Sequence, residues 1–459
     1  MKIKLNKPMI ATILTLAWPT MLEQLMQTAV QYIDTAMVGT IGTHATAAVG
    51  ATTTVNWLIN STISALGVGF LAYIAQAYGA GDKKAASKAV SQAVLVTLIV
   101  GSFFTALTLS LSRVIPVWMQ VDEPIQKLAG QYFFILYLPM LPRTATIIFG
   151  TALRAAGDTK TPMKVGILVN IVNVVLNFLL IYPTRTLNIF GYQFWMPGAG
   201  WGVTGAAAAS AAAFLLGGIW ITAALWRHPM ISPRGSSFKL DGSILRPCLK
   251  VAMPNMLQRF GTSLGYVAFA AMINSLGEVA TAAHTIANTV ESAFYIPGYG
   301  MQTAAATLAG NAYGAKDRQK MRDLTAMFIP IEIGLMILTG GALFLSAQVL
   351  VEIFSDSPDV IHLGTTVLRM VALSEPFYGF SIIIEGMMLG IGNTKRPFAY
   401  NILGMWGVRI VGTFLCTQIL GLGLVAAWGC MIAHNLLIFV LYLYSFSTKT
   451  WNPLEGKQR

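Results

Sequence analysis

Residues 157–162 read GDTKTP and residues 392–397 read GNTKRP, and the offset of 235 between them holds along the rest of the chain. Pro19 answers Pro254, Gly42 answers Gly277, ATAA at 45–48 recurs at 280–283, and AYGA at 77–80 with Asp82 recurs at 312–315 with Asp317. Chance does not keep one register over such a length, so the chain is an internal duplication. Glycine and proline suit turns and helix ends, which assigns the recurring tracts to the fold rather than to ligand contact.

What is duplicated follows from the residues between these tracts. Of 459 residues, 55% are hydrophobic and 10% charged, where a soluble chain carries roughly a quarter charged residues. Stretches long enough to span a bilayer, at about 20 residues each, fall at 9–38, 48–78, 88–120, 126–153, 162–183, 198–226, 247–275, 281–311, 322–354, 360–389, 397–420 and 422–447. The fold class predicted is all-α, a polytopic membrane protein of twelve transmembrane helices. Each copy holds six spans, an even number, so both copies enter the membrane from the same side and form a parallel repeat. The expected organisation is an N-terminal six-helix lobe over 1–226, a linker over 227–246, and a C-terminal six-helix lobe with a short tail over 247–459. The start, MKIKLNKPMIATILTLAW, has the character of a signal peptide. No small-residue cleavage site follows and the apolar run continues past Pro19, so it reads as the first span.

The net charge of +12 is distributed as a membrane topology requires. On one side lie Lys2, Lys4 and Lys7, Lys83 to Lys88, Arg154 to Lys164, the linker from Arg227 to Lys250, Lys316 to Arg322, Lys395 and Arg396, and Lys449, Lys457 and Arg459. Only Arg113, Lys127 and Arg185 lie on the other side. This places both termini and the linker in the cytoplasm and removes nucleic acid as a reason for the basic excess. Arg143, Arg259, Arg369 and Arg409 stay inside spans, where each needs a partner or a cavity. Cys248, Cys416 and Cys430 are scattered and odd in number, which indicates neither a disulfide framework nor a zinc site. No phosphate loop, nucleophile elbow, zinc-binding helix or dinucleotide fingerprint stands in a supporting context. The chain is expected to be no enzyme, to need no cofactor, and to draw its energy from an ion gradient.

Polar side chains inside apolar spans map an interior. In MLEQLMQTAVQYIDTAMVG, residues Gln24, Gln27, Gln31 and Asp34 follow spacings of three, four and three, one face of a helix. The second span carries Thr53, Asn56, Asn60 and Ser64 on a face, and the fifth carries Asn170, Asn173 and Asn177. Interhelical hydrogen bonding accounts for the amides as well as a cavity does. It accounts less well for Asp34, which at 1.5 Å per residue lies on the order of 35 Å from the start of its helix, in the outward half of the membrane. The second copy does not repeat this chemistry: the position answering Asp34 is Phe269. Its acids stand instead in HTIANTVESAFYIPGYG, where His284, Asn288 and Glu291 form one stripe, and in SEPFYGFSIIIEGMMLG, where Glu375, Tyr378 and Glu385 share a face. Pairing with Arg259 is a structural alternative for Glu291, and Glu23 beside Pro19 reads as a cap or a lobe contact.

Two six-helix lobes, QYIDTAMVG closing the first helix, TALRAAGDTKTP after the fourth, and NVVLNFLLIYP in the fifth resemble the multidrug and toxic compound extrusion family of bacterial cation-coupled exporters. The resemblance runs from about Pro19 to about Tyr444. It implies alternating outward-open and inward-open forms, a bacterial inner-membrane location, and export of amphipathic, often cationic compounds in exchange for H+ or Na+. Asp34 matches the first-helix acid of that family, implicated in coupling or in bending the helix, and is the one site where Na+ is expected. Many relatives carry an acid in the fifth helix where this chain has Asn177. The family's acids on helices seven and ten fall near Thr262 and Tyr378 here, both neutral. Glu291 matches an acid found in part of the family. The coupling residues implied are therefore Asp34 and Glu291. Gln31, Asn56, Asn60, Asn173, Asn177, Arg259, His284, Asn288, Glu375 and Tyr378 are candidates for the substrate cavity. Two lobes enclosing one cavity need no second chain, so a monomer is expected. The alternative reading is a flippase for lipid-linked saccharide precursors, which the four intramembrane arginines favour and the acids oppose.

Overall fold

A computed structural model describes residues 7–118, 121–189 and 192–455; Lys2, Lys4, Lys457 and Arg459 lie outside the described residues. In chain order the elements are α1 (Lys7–Gly39), α2 (Thr43–Gly79), α3 (Lys83–Leu111), one turn α4 (Ile115–Trp118), α5 (Glu123–Tyr137), α6 (Met140–Ala155) and α7 (Lys160–Leu180). A hairpin follows, β1 (Pro183–Ile189) and β2 (Tyr192–Ala199), and then α8 (Gly202–Arg227), which completes the first copy. The second copy is α9 (Gly242–Asn274), α10 (Glu278–Gly314), α11 (Arg318–Glu352), α12 (Pro358–Ala372), α13 (Glu375–Gly390), α14 (Lys395–Ile402), α15 (Val411–Phe414) and α16 (Leu424–Ser447). A π-helical stretch, Leu403–Ile410, joins α14 to α15, and a second, Leu415–Ile419, extends the same rod beyond α15.

Among the described residues eight helices are long and apolar enough to cross a membrane, and ten if each of two bent pairs counts as one span. The pairs are α5 with α6, bent by 50°, and α12 with α13, bent by 53°. The remaining two rods, α9 and α10, are 33 and 37 residues long, enough to cross a bilayer. The fold is thus the predicted twelve-helix, two-lobe membrane protein.

The duplication is visible in the breaks and crossings. The bent pairs break at Pro139 and at Ser374, which are 235 residues apart. Pro139 lacks the N–H that would continue α5, and Pro376 does the same after α12, so different residues interrupt the same point in each copy. The recurring AYGA tract places Gly79 and Gly314 where α2 and α10 cross. A Cβ on Gly79 would stand 2.0 Å from the Asn311 carbonyl oxygen, and one on Gly314 would stand 1.9 Å from that of Gln76. Gln76 and Asn311 are themselves repeat partners, so the contact is reciprocal, and only glycine permits it.

The described chain divides into two compact units, one of residues 7–21, 71–82 and 247–455, the other of 22–70 and 83–246. In the first, Ile13, Leu16 and Ala17 of α1 pack with Met301, Phe328, Ile384 and Met387. In the second, Met37, Val38, Ile181 and Val203 form an apolar cluster. The linker is an ordered strap on α3. Gln92, fully buried, donates to the Lys239 carbonyl at 2.8 Å and accepts from the Asp241 N–H at 2.9 Å. Lys88 pairs with Asp241 at 2.5 Å, and Ser87 donates to the Ser232 carbonyl. Lys88, with the Ser243 hydroxyl and N–H, holds the Asp241 carboxyl down at about 2, so this carboxylate stays ionised through the physiological range.

Candidate functional site

In the N-terminal copy the site is built from α1 and α7. The i, i+4 spacing of Asn173 and Asn177 sets both amides on one face of α7, and that face meets Asp34. Asn177 Nδ2 donates to Asp34 Oδ1 at 2.6 Å. With its amide nitrogen turned to the carboxylate, Asn173 donates to Asp34 at 2.8 and 3.1 Å, while its oxygen accepts from Ser210 Oγ of α8 at 2.9 Å. Asn173 and Asn177 are buried and Asp34 half-buried. Amides orient and solvate a carboxylate without neutralising it. The Asn177 Oδ1 atom is buried with no hydrogen bond among the described residues.

A second polar run continues from this point. Tyr132 stands within electrostatic reach of both Asp34 and Arg143. Arg143, only 6% exposed, lies 4.6 Å over the Phe214 ring and 5.8 Å from that of Tyr137. The Tyr137 hydroxyl donates to Asn56 at 3.0 Å, and Asn60, one turn further along α2, keeps its oxygen buried with no hydrogen bond among the described residues. The structure therefore joins Asp34, Asn173 and Asn177 directly and leads on to Asn56 and Asn60. Gln24, Gln27 and Gln31 are exposed on α1, and among the described residues none of their side chains joins this network. Glu23 proves to be one half of an ion pair: Arg154 Nη2 donates to its two oxygens at 2.7 and 2.6 Å, and Gly166 leaves the room for it.

The C-terminal copy gathers acids on α10, α11 and α13. Glu291 is 3% exposed and accepts from the Tyr295 hydroxyl; the Tyr295 ring lies 5.3 Å from that of Tyr378. Glu375 faces the same tyrosine and feels the charges of Glu291 and of Glu332. Glu332 belongs to none of the polar stripes that helical spacing picks out. It is fully buried, neither of its oxygens has a hydrogen bond among the described residues, and Gly298 and Gly379 give it space. Its one signal in the sequence is being the lone acid of IPIEIGLMIL. Glu385 belongs to a separate group, accepting from Gln258 at 2.8 Å and from Asn401 at 3.4 Å.

Arg259 is not the partner of Glu291. It donates to Asn255 one turn away at 3.1 Å, and the acid it senses is Glu385. Nor does His284 join the acids: its Nδ1 accepts from the Trp428 indole at 3.2 Å and its ring meets Phe269. Phe269, which answers Asp34, instead lies 4.1 Å beneath the Arg409 guanidinium. The first copy has a carboxylate at this register; the second has an aromatic ring carrying a cation. Asn288 is exposed.

Fold and buried polar groups define a multi-pass membrane protein made of two parallel six-helix copies, each with its own intramembrane ionisable site. The sequence profile of one family, MatE, matches residues 19–179 and again residues 254–415, the two copies in the same register. This chain belongs to the MatE family. It is 27% identical over 439 residues to a probable multidrug resistance protein NorM of Thermotoga maritima, covering 96% of this chain and 92% of that one. A crystal structure of MATE in complex with MaD3S superposes with a TM-score of 0.88 at 22% identity over 98% of this chain and 97% of that one. A transporter of the MOP superfamily from Pyrococcus furiosus, whose binding pocket is described as of reverse polarity, suggesting a different function, superposes with a TM-score of 0.86 at 23% identity, covering 98% and 97%.

Proposed function

We propose that the chain is a secondary active antiporter that exports amphipathic, often cationic drugs or toxic compounds in exchange for H+ or Na+ by alternating access. The observation that carries this reading is the Asp34 carboxylate, held by two amides that cannot titrate. A carboxylate so held must be met by a proton, by Na+ or by a cationic substrate, and occupancy by one excludes the others. Entry of the coupling ion from outside displaces the exported compound; release of that ion inside restores the negative charge. Glu291 supplies the second acid, with Glu375 beside it. The name of the Thermotoga relative, a probable multidrug resistance protein, supports the same reading. On this reading the protein works as a monomer in the bacterial inner membrane; the basic clusters support cytoplasmic termini.

The flippase reading keeps one support, the buried cations Arg143 and Arg409, which rest on aromatic rings rather than on carboxylates. One assay separates the two. Proteoliposomes are loaded with a fluorescent cationic dye and given a Na+ gradient or a pH gradient in turn. Dye movement that follows one gradient and stops when it is collapsed supports antiport and names the ion. Dye movement under neither gradient, together with scrambling of a lipid-linked saccharide, overturns it.

A further inference from the structure

Two lysines at the basic end of the molecule adopt a backbone conformation that lysine rarely takes. Lys316 (φ 55°) and Lys449 (φ 58°) are the non-glycine residues with positive φ among those described. Each closes a long helix. The N–H after Lys316 donates to the Ala312 carbonyl at 3.0 Å, and the N–H after Lys449 donates to the Ser445 carbonyl at 3.0 Å, the six-residue closure that normally uses glycine. The first copy does use glycine where Lys316 stands: Gly81, at φ 73°. A side chain in this region strains the backbone, so a lysine there calls for a reason beyond the turn.

For Lys449 the surroundings supply one. It lines a cavity of ≈ 600 Å³ at the start of α11 and the end of α16, together with Arg322, Glu455, Trp451, Ile329 and Phe446. Arg322 Nε is bonded to Glu455 at 2.7 Å, so these two charges cancel and Lys449 leaves the rim with one net positive charge. Ile329 lies seven residues along α11 from Arg322, about 10 Å deeper at the helical rise, and walls the cavity with apolar surface. A cationic rim, a buried tryptophan and an apolar wall at the end of two membrane helices are arranged as the membrane interface is.

We infer that this cavity binds an anionic phospholipid with one phosphodiester, of the phosphatidylglycerol class, from the leaflet at the basic end of the protein. The phosphodiester's single negative charge meets Lys449 and the terminal nitrogens of Arg322, and the acyl chain lies along Ile329 and Phe446. The residual charge of the rim selects a net anion over a zwitterion. The site is independent of the antiport reading, because nothing in it touches Asp34 or Glu291.

The test uses the full chain in detergent, its thermal unfolding followed with phosphatidylglycerol, phosphatidylethanolamine, phosphatidylcholine or soluble glycerol 1-phosphate added. Phosphatidylglycerol is expected to raise the midpoint most and glycerol 1-phosphate not at all. Lys449→Gly removes the backbone strain and the charge together: the lipid-free midpoint rises, while more than half of the phosphatidylglycerol shift is lost and its affinity by native mass spectrometry falls about tenfold. Lys316→Gly is the control, relieving the same strain outside the cavity, and keeps the full lipid shift. Equal shifts by the three lipids, a shift by glycerol 1-phosphate, or an unchanged phosphatidylglycerol shift in Lys449→Gly would each overturn the assignment.

Discussion

Removing the guanidinium of Arg154 isolates a carboxylate that the fold otherwise keeps paired. Glu23 and Arg154 meet through one nitrogen and both carboxylate oxygens, with side chains 20% and 17% exposed, so water and salt screen the pair little. Losing one partner of such a buried pair typically costs about 3–5 kcal/mol, because the remaining charge stays desolvated and alone. With about a fifth of each side chain still wetted, the lower end is expected, ~3 kcal/mol for Arg154→Leu. Glu23→Gln alone takes the opposite charge away from Arg154 at a similar cost. The double variant leaves no buried charge and should recover most of the loss, giving a coupling of about 2 kcal/mol or more in a double-mutant cycle. Reversible unfolding in mixed micelles measures all four proteins at constant detergent composition. A double variant as unstable as the sum of the singles would show that the two side chains do not form one unit. The pair matters because α1 passes from one compact unit to the other between residues 21 and 22. Glu23 is its first polar anchor beyond that point, and Asp34 stands on the same helix.

Two further outcomes follow from packing. Gly314→Ala puts a methyl group 1.9 Å from the Gln76 carbonyl oxygen and should cost about 3 kcal/mol or more, whereas Gly334→Ala, with nothing within 4 Å, should leave stability unchanged or raise it by up to about 1 kcal/mol; the same unfolding assay compares them. Glu332→Leu replaces an unpartnered, fully buried acid with an apolar side chain of similar volume. It should stabilise the protein by about 1–3 kcal/mol while lowering dye transport in proteoliposomes, and a loss of stability would show that Glu332 holds the fold instead.

The spans and their duplication were legible because bilayer thickness and helical rise fix the length of an apolar run, and because the recurring tracts occupy crossings that only one side chain fits. Gly79 and Gly314 show this directly. The breaks at Pro139 and Ser374 fell inside single apolar runs, where hydropathy is blind to a bend and only the prolines marked it. The β1–β2 hairpin lay in a stretch too short and too polar to count as a span. Its strands pair in register from Arg185 with Met196 to Ile189 with Tyr192. Helical spacing placed Asn173 and Asn177 on one face but could not say that Asp34 lies opposite, since nothing in a sequence sets the rotation of one helix against another. The same gap let Arg259 be considered for Glu291 when its donor geometry goes to Asn255, and it left the Glu23–Arg154 pair unseen across 131 residues.

The most direct test of the coupling account is dye export by Asp34→Asn and by Glu291→Gln, each reconstituted at wild-type protein levels and driven by whichever ion gradient drives the parent. Asparagine and glutamine keep the shapes and most hydrogen bonds of these side chains but cannot carry the charge. Asp34→Asn is expected to lose gradient-driven export while still folding, and Glu291→Gln to be strongly reduced. Full export by both variants would contradict it.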